Sequence, residues 1–384
     1  MRGGKQIMKK KKDKQNKKNN KPLKVQLICA LLVLSLICCI LTYNYISNEF
    51  YEATNSEDIA IEDADKILFI VEKDDYTTPA IAEKLKEQGL IDNVFLFKFL
   101  SKIDGFDGTY KRGSHYLKKG MDMGDIMKVL SSDTVSVGVT FPEGFTMKKI
   151  GARLEANGLC TSQEFIDAAI KLSKDKKFTD QYTCLKGYAE LTDLGVRDIP
   201  FEGYLFPDTY YFDISAEPEE MIEIMLNNFE DKYLPDYYIK AEKLGFTTDE
   251  IIKLASIVER ECRVKAERRK VAGVFYNRLV KTSDPTLKTL QSCATLQYIF
   301  ERDEGAIHEI ITIEDEKVQD NYNTYLNDGL PPGPICNPGI ESIKAILNLE
   351  ETDYYFFVLD SKSTTGSHLF AKTYSEHLKN KNQT

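Results

Sequence analysis

The sequence predicts a mixed α+β protein that follows a single apolar N-terminal segment. Short strand-like runs such as 66–72 (KILFIVE) alternate with amphipathic helical patterns. A strand–helix pattern occurs twice in the first half of the chain, and the second half is mainly helical with Gly/Pro-rich loops. With 384 residues, the chain is long enough for two or three compact domains.

The charge distribution of the N-terminal region predicts a membrane anchor. Residues 1–24 carry 11 Lys or Arg and one Asp, which leaves about −19 for the rest of a chain whose total is −9. Residues 25–48 contain no charged side chain and are long enough to cross a bilayer as a helix. No small-x-small cleavage pattern follows promptly, which favours an uncleaved signal anchor over a signal peptide. By the positive-inside rule, residues 1–24 form a basic cytoplasmic tail and the chain after residue 48 is extracytoplasmic. This arrangement also disfavours a nucleic-acid partner for the lysines.

The cysteine and histidine spacings predict neither a disulfide framework nor a metal site. The odd number of scattered cysteines beyond the anchor argues against paired bridges. No Cys-x-x-Cys or His-x-x-x-His pair is present, and the histidines lie far apart in the sequence. We therefore expect no metal and no cofactor. The residues concerned are Cys160, Cys184, Cys262, Cys293, Cys336, His115, His308, His368 and His377.

A repeated pattern indicates two related strand–helix units beyond an acidic linker at 49–65. The pattern I-x-x-x-L-x-x-x-G-L at 81–90 recurs at 150–159, each copy after a strand-like piece that ends near a threonine. The glycines, Gly89 and Gly158, are suited to end their helices as C-caps. Chance similarity between short amphipathic helices is the alternative.

One helix in the second half presents candidate catalytic carboxylates. The helix start has Thr247 as cap and Glu250 three residues later, which completes a capping box. The helix then reaches the stretch 255–262 (ASIVEREC), where Glu259 and Glu261 fall on opposite flanks of the apolar stripe and Arg260 points away from it.

The neighbours of Glu261 favour it as a general acid. It lies between the bulky Leu254 and Ile257, whereas Glu259 lies beside Ala255. Desolvation there would favour the protonated form that proton donation near neutral pH requires. Glutamates at the boundary of a helix are also common without any catalytic role.

An aromatic segment at 201–213 (FEGYLFPDTYYFD) allows two interpretations. Buried aromatic packing explains most such stretches. A cleft in which Tyr and Phe rings stack on sugars is the sharper alternative.

Five ordered motifs identify a resemblance to a known family. They are EGYLFPDTY, LASIVEREC, AERRKVAGVFYNRL, YNTYLNDGLPPGPICNPG and HLFAKTYSEH. In these motifs the chain resembles the YceG-like (MltG) endolytic murein transglycosylases. The resemblance implies a membrane anchor, a LysM-like module, which we place at 66–137, and a catalytic domain at 201–384. A second strand–helix unit and a connecting region would then occupy 138–200.

The same resemblance implies roles for individual residues. Glu261 matches the family's catalytic glutamate, the second one in its S-I-[IV]-E-[KR]-E pattern. The residues that it implies for glycan binding are Asn277, Arg278, Gln291, Tyr322, Asn323, Thr324 and Tyr325. The chain departs from the family in one place: where many members read L-Q-[ST]-D-P-T, this chain has Cys293 and Ala294 in place of Asp and Pro.

The implied function is cleavage of the β-1,4 bond between N-acetylmuramic acid and N-acetylglucosamine in nascent peptidoglycan, with 1,6-anhydromuramic ends as products. The implied partners are peptidoglycan strands, the cell membrane and wall synthases such as penicillin-binding proteins. One rival is a non-catalytic wall-binding protein. Another is a thiol hydrolase that uses Cys262 with His368, although no histidine lies near Cys262 in the sequence.

Overall fold

The computed structural model describes residues 31–41, 65–72, 76–186, 188, 197 and 199–383. The chain divides into two units, Met1–Lys66 and Ile67–Thr384. In the first unit, residues 31–41 form a helix whose side chains are all exposed. Within the described residues, no helix combines the length and the apolar character that crossing a membrane needs. The rest of the predicted anchor at 25–48, the basic tail at 1–24 and nearly all of the linker at 49–65 lie outside the described residues.

The second unit begins with a two-stranded antiparallel sheet that encloses two helices in sequence. Strands β1 and β2 pair with Ile67 opposite Leu117 and have the helices between them in the chain. Phe69, Leu85 and Phe97 are fully buried in the small core beneath. The elements are β1 (Ile67–Val71), α1 (Thr78–Glu87), α2 (Val94–Ile103), β2 (Gly113–Leu117) and α3 (Met123–Ser131).

A second unit follows, in which three helices lie between two antiparallel strands. Its antiparallel strands place Ser136 opposite Asp213, so the sheet joins residues from both sides of the boundary that we placed at residue 200. The domain boundaries themselves remain predictions. The elements are β3 (Ser136–Thr140), α4 (Met147–Ala156), α5 (Ser162–Lys174), α6 (Lys176–Thr179) and β4 (Thr209–Asp213).

The two repeated glycines end their helices in the same way. Gly89 has φ of 68° and Gly158 has φ of 72°, in the left-handed region that glycine adopts without strain. In the first copy the N–H of Leu90 donates to the carbonyl of Leu85, and in the second the N–H of Leu159 donates to the carbonyl of Leu154. Both are six-to-one bonds of the Schellman type. The repeated sequence pattern therefore corresponds to a repeated local structure.

The remaining elements form a mainly helical region around the largest hydrophobic core. The aromatic segment at 201–213 contributes to this core, since Phe201 and Phe212 are fully buried and Tyr204 is 1% exposed. Packing is therefore its role along most of its length. The elements are α7 (Pro218–Lys232), α8 (Pro235–Leu244), α9 (Thr248–Glu261), α10 (Arg268–Tyr276), α11 (Cys293–Glu304), α12 (Ile340–Leu347), β5 (Phe356–Leu359), β6 (His368–Ala371) and α13 (Tyr374–Gln383).

Candidate active site

The candidate acid, Glu261, is the last residue of α9. The predicted capping box between Thr247 and Glu250 is present at the start of this helix. Two groups hold one carboxylate oxygen of Glu261: the Ser292 hydroxyl donates to Oε1 at 2.5 Å, and the Ala294 backbone N–H donates to the same atom at 3.1 Å. No hydrogen bond from a described residue reaches Oε2. One oxygen is thus fixed, and the other is available to a ligand.

The other glutamate of the motif, Glu259, is part of a buried ion pair. Its side chain is 6% exposed and lies 2.7 Å from the guanidinium of Arg268. Oε2 also accepts hydrogen bonds from the Gly339 N–H at 3.0 Å and from the Ser342 hydroxyl at 2.7 Å. Because three groups already donate to its carboxylate, Glu259 has a structural role and stabilises the junction of α9, α10 and α12.

The arginine between the two glutamates is also in an ion pair. The sequence pattern predicts that Arg260 points away from the buried stripe, but its side chain is only 14% exposed and lies 2.8 Å from Glu301. Arg260 also donates to the carbonyl of Ile335. The loop at 331–339 and helix α11 therefore contact this flank of α9, and Arg260 joins them to the helix.

Ser292 is held in place by a threonine on a separate loop. The Ser292 N–H donates to the Thr324 hydroxyl at 3.0 Å, and that hydroxyl also bonds Thr295 at 2.9 Å. The preceding residue, Gln291, donates its N–H to the carbonyl of Thr324 and has φ of 50°. A positive φ at a residue other than glycine is uncommon and occurs often at functional sites. The loop that contains Ser292 and the loop that contains Thr324 therefore jointly position the groups that donate to Glu261.

Three of the predicted glycan-binding side chains are buried and bonded to backbone carbonyls. Asn277 donates to the carbonyls of Thr352 and Tyr354. Arg278 donates to the carbonyl of Leu290, and burial lowers the pKa of Arg278 to about 10. The third, Asn323, is fully buried and donates to the carbonyls of Glu316 and Val318. In these positions the three side chains support the loops of the site.

The other predicted ligand contacts differ in exposure. Tyr322 is 2% exposed and packs against Tyr298, and Thr324 is 1% exposed. Gln291 is exposed, and Tyr325 is half-buried with its hydroxyl 3.1 Å from the thiol of Cys293. The structure thus brings Gln291 and Tyr325 to the accessible side of the candidate site. Contact of these residues with glycan remains a prediction.

Two polar residues outside the predicted set connect the loops around the site. The buried amide of Asn337 accepts from the N–H groups of Gly203 and Leu205 and donates to the carbonyl of Phe145 and to Glu202. Burial raises the pKa of Glu202 to about 8, and the nearby carboxylate of Glu301 contributes to this increase. Local sequence patterns do not identify Asn337 because its partners lie more than 100 positions away in the chain.

The structure brings the cysteine and histidine of the thiol-hydrolase rival together, although they are distant in the sequence. Cys262, Glu267 and His368 offer ligand atoms that all lie within 4.8 Å of one another. The side chain of Cys262 is fully buried, and burial with the charge of Glu267 raises its pKa to about 11. A buried, protonated thiol is a poor nucleophile, so these features disfavour the thiol hydrolase.

Comparisons with known proteins identify the family of this chain. The model of the YceG-like family matches residues 70–383, and the chain belongs to this family. An endolytic murein transglycosylase of Bacillus subtilis (strain 168) is 32% identical over 331 residues, which cover 81% of this chain and 86% of that protein.

Two further matches extend the comparison. An endolytic murein transglycosylase of Streptococcus pneumoniae serotype 2 is 30% identical over 78% of this chain, which spans only 55% of the longer relative. The 2.6 Å crystal structure of a yceG-like protein from Listeria monocytogenes superposes with a TM-score of 0.53 at 30% identity, and the match covers 82% of this chain and 98% of that one. The fold is therefore that of an experimentally determined member of the family.

Proposed function

We propose that this protein is a membrane-anchored endolytic peptidoglycan transglycosylase in which Glu261 acts first as acid and then as base. The enzyme class follows from family membership: the chain is a lytic transglycosylase. The observation that carries the assignment of Glu261 is the asymmetry of its carboxylate. Oε1 is held by Ser292 and Ala294, whereas no described residue bonds Oε2.

The chemistry needs one carboxyl group that changes its protonation state. The protonated Glu261 gives its proton to the glycosidic oxygen as the bond from that oxygen to the anomeric carbon of N-acetylmuramic acid breaks. The resulting carboxylate takes a proton from the muramic 6-hydroxyl as that oxygen bonds to the anomeric carbon. The products are a free 4-hydroxyl on N-acetylglucosamine and a 1,6-anhydromuramic end. No water is consumed, and the acid is regenerated.

Two neighbouring carboxylates, Glu259 and Glu301, are already used in structural ion pairs. A glycoside hydrolase normally uses two carboxyl groups that flank the scissile bond. Glu259 is paired with Arg268, and Glu301 is paired with Arg260, so both are committed to structural ion pairs. Neither is placed as the second catalytic group.

The N-terminal half suits attachment and substrate binding near the membrane. The uncharged segment at 25–48 would anchor the chain with its N-terminus in the cytoplasm. The strand–helix–helix–strand unit of β1, α1, α2 and β2 is proposed as the LysM-like module that holds glycan strands. Cutting at this location would release nascent strands, and wall synthases such as penicillin-binding proteins are the expected partners.

The decisive experiment compares products from purified peptidoglycan by mass spectrometry. Full-length protein in detergent should yield 1,6-anhydromuramic ends, and a Glu261→Gln variant should yield none while it keeps its thermal midpoint. Reducing ends from the native chain would instead indicate a hydrolase and overturn the proposal. Intact binding of peptidoglycan with no products would favour the non-catalytic wall-binding protein.

The proposed anchor has a separate test. Full-length protein should stay with membranes after alkaline carbonate extraction, and a variant that lacks residues 25–48 should be released. Added protease should cleave the basic tail in inside-out vesicles, because these expose the cytoplasmic face of the membrane. It should leave the tail intact when that face is enclosed. Release of the full-length chain by carbonate would contradict the anchor but not the transglycosylase.

A further inference from the structure

Three side chains of different chemistry lie close together at the end of α9, next to the candidate acid. Cys262 caps the C-terminal end of α9, Glu267 precedes α10, and His368 begins β6. One ligand atom from each lies within 4.8 Å of the others. Cys262 is fully buried, and the side chains of His368 and Glu267 are 4% and 19% exposed. A thiol, an imidazole and a carboxylate therefore converge in a mostly dry environment.

This donor set is one that zinc uses in proteins. Sulfur, nitrogen and oxygen ligands in a tetrahedral zinc site are about 3.3–3.6 Å apart, given metal–ligand distances of about 2.0–2.3 Å. Side-chain shifts of about 1 Å would bring the observed separations into that range. The thiolate and the imidazole are softer ligands than oxygen. They therefore disfavour calcium and magnesium, which prefer oxygen ligands.

The contacts around the three residues already fix the orientation of the imidazole. His368 Nδ1 lies 2.9 Å from Oε2 of Glu267, which also accepts the backbone N–H of His368 at 3.0 Å. The rings of Phe357 and Phe370 pack against the imidazole. The aromatic packing keeps the ring in this orientation, which lowers the cost of forming a metal site. The 2.9 Å contact between Nδ1 and Oε2 would lengthen as both atoms turn toward the ion.

The charge around the cluster is also compatible with a divalent cation. The nearby Arg268 donates to the carbonyl of Cys262 but is neutralised by Glu259. The thiol of Cys262 now donates to the carbonyl of Val264 at 3.3 Å. Its deprotonation on metal binding, with the carboxylate of Glu267, would balance the two positive charges of the ion.

We propose that Cys262, Glu267 and His368 bind a zinc ion that fastens the β5–β6 hairpin to the end of α9. The ion replaces the proton of the Cys262 thiol, which goes to solvent, and no oxidation or reduction takes place. Solvent completes the tetrahedron on the side where Glu267 is partly exposed. One of its ligands, Cys262, follows Glu261 directly in the chain, and the role of the ion is structural. The proposal does not depend on the transglycosylase activity.

The test uses full-length reduced protein in detergent, freed of metal and titrated with Zn²⁺ against a chromophoric chelator. We expect one tightly bound equivalent, the release of protons on binding, and a higher thermal midpoint. Co²⁺ in place of Zn²⁺ should give a thiolate-to-cobalt charge-transfer band. Cys262→Ser and His368→Gln should each lower the affinity by at least about 100-fold.

The matched control is Cys293→Ser, because this exposed thiol contacts Tyr325 and lies outside the cluster. It should keep the affinity and the charge-transfer band. The cobalt band of the native chain is informative even if Cys262→Ser fails to fold. Absence of that band, binding no tighter than in Cys262→Ser, or loss of binding in Cys293→Ser would overturn the proposal.

Discussion

The backbone N–H of Ala294 donates to the carboxylate of Glu261 at 3.1 Å, at the first turn of α11. The family pattern that this chain resembles has proline at this position, and proline has no N–H to donate. This chain therefore holds its candidate acid with one donor more than that pattern allows. Together with the Ser292 hydroxyl, this donor fixes the orientation of the Glu261 carboxyl group.

Substitution Ala294→Pro should slow the reaction because it removes one of the two groups that orient the carboxyl group of Glu261. Proline is tolerated in the first turn of a helix, and the lost hydrogen bond goes only to Glu261. A net hydrogen bond contributes about 0.5–1.5 kcal/mol, so the rate should fall by about 2- to 12-fold. The measurement is the rate of release of anhydromuramic products at one fixed pH.

The control for this prediction is Ala294→Ser, which keeps the backbone N–H. Its rate should equal that of the native chain. If Ala294→Pro also keeps the native rate, the N–H of Ala294 does not position the reacting carboxyl group.

The two glutamates of the motif should respond differently to the same substitution. Glu259→Gln leaves the buried Arg268 with only the more distant carboxylate of Glu143, at 3.9 Å, and should lower the free energy of unfolding by up to about 3–5 kcal/mol. Glu261→Gln retains the acceptor for Ser292 and Ala294, so its stability should change by less than about 1 kcal/mol while activity is lost. Urea unfolding monitored by circular dichroism measures both. Equal losses of stability would refute the division of roles.

Substitutions at Asn323 and Gln291 should distinguish a residue that supports the site from a residue that contacts the ligand. Asn323→Ala leaves the half-buried carbonyls of Glu316 and Val318 and the N–H of Tyr325 without their partner, and should lower the free energy of unfolding by about 2 kcal/mol or more. Gln291→Asn retains a residue type that tolerates positive φ, and this exposed position should keep its stability within about 0.5 kcal/mol. We expect Gln291→Asn to lower the affinity for glycan, which is measured by pelleting the protein with insoluble peptidoglycan. Normal binding by Gln291→Asn would remove Gln291 from the predicted contacts.

Local sequence signals predicted the elements of the fold better than the contacts between them. The capping box at Thr247 and the C-cap glycine Gly89 depend on a few adjacent residues, and both are present. The partner of Arg260 is Glu301, 41 positions away, and helical periodicity contains no information on such a partner. For the same reason the sequence does not identify Ser292 as a donor to Glu261, although Ser292 lies in the stretch that corresponds to the L-Q-[ST]-D-P-T pattern.

The buried carboxyl group of Glu202 predicts a loss of stability as the pH rises. Burial raises its pKa in the folded chain to about 8, whereas the unfolded chain has the ordinary value of 4.5. The folded state then binds the extra proton between these two values. Its contribution to stability is complete below the lower value and is lost as the pH rises through the higher one.

The matched variant for this last prediction is Glu202→Gln, which resembles the protonated acid and cannot ionise. Native protein should lose up to about 1.4 kcal/mol per pH unit more than the variant between about pH 5 and pH 8. Urea unfolding of both proteins across this range gives the difference in slope. Parallel slopes would show that Glu202 is ionised in the folded chain, stabilised by the N–H of Met147 and the amide of Asn337, which both donate to it. A steeper slope for the native chain would instead show that folding keeps this carboxyl group protonated.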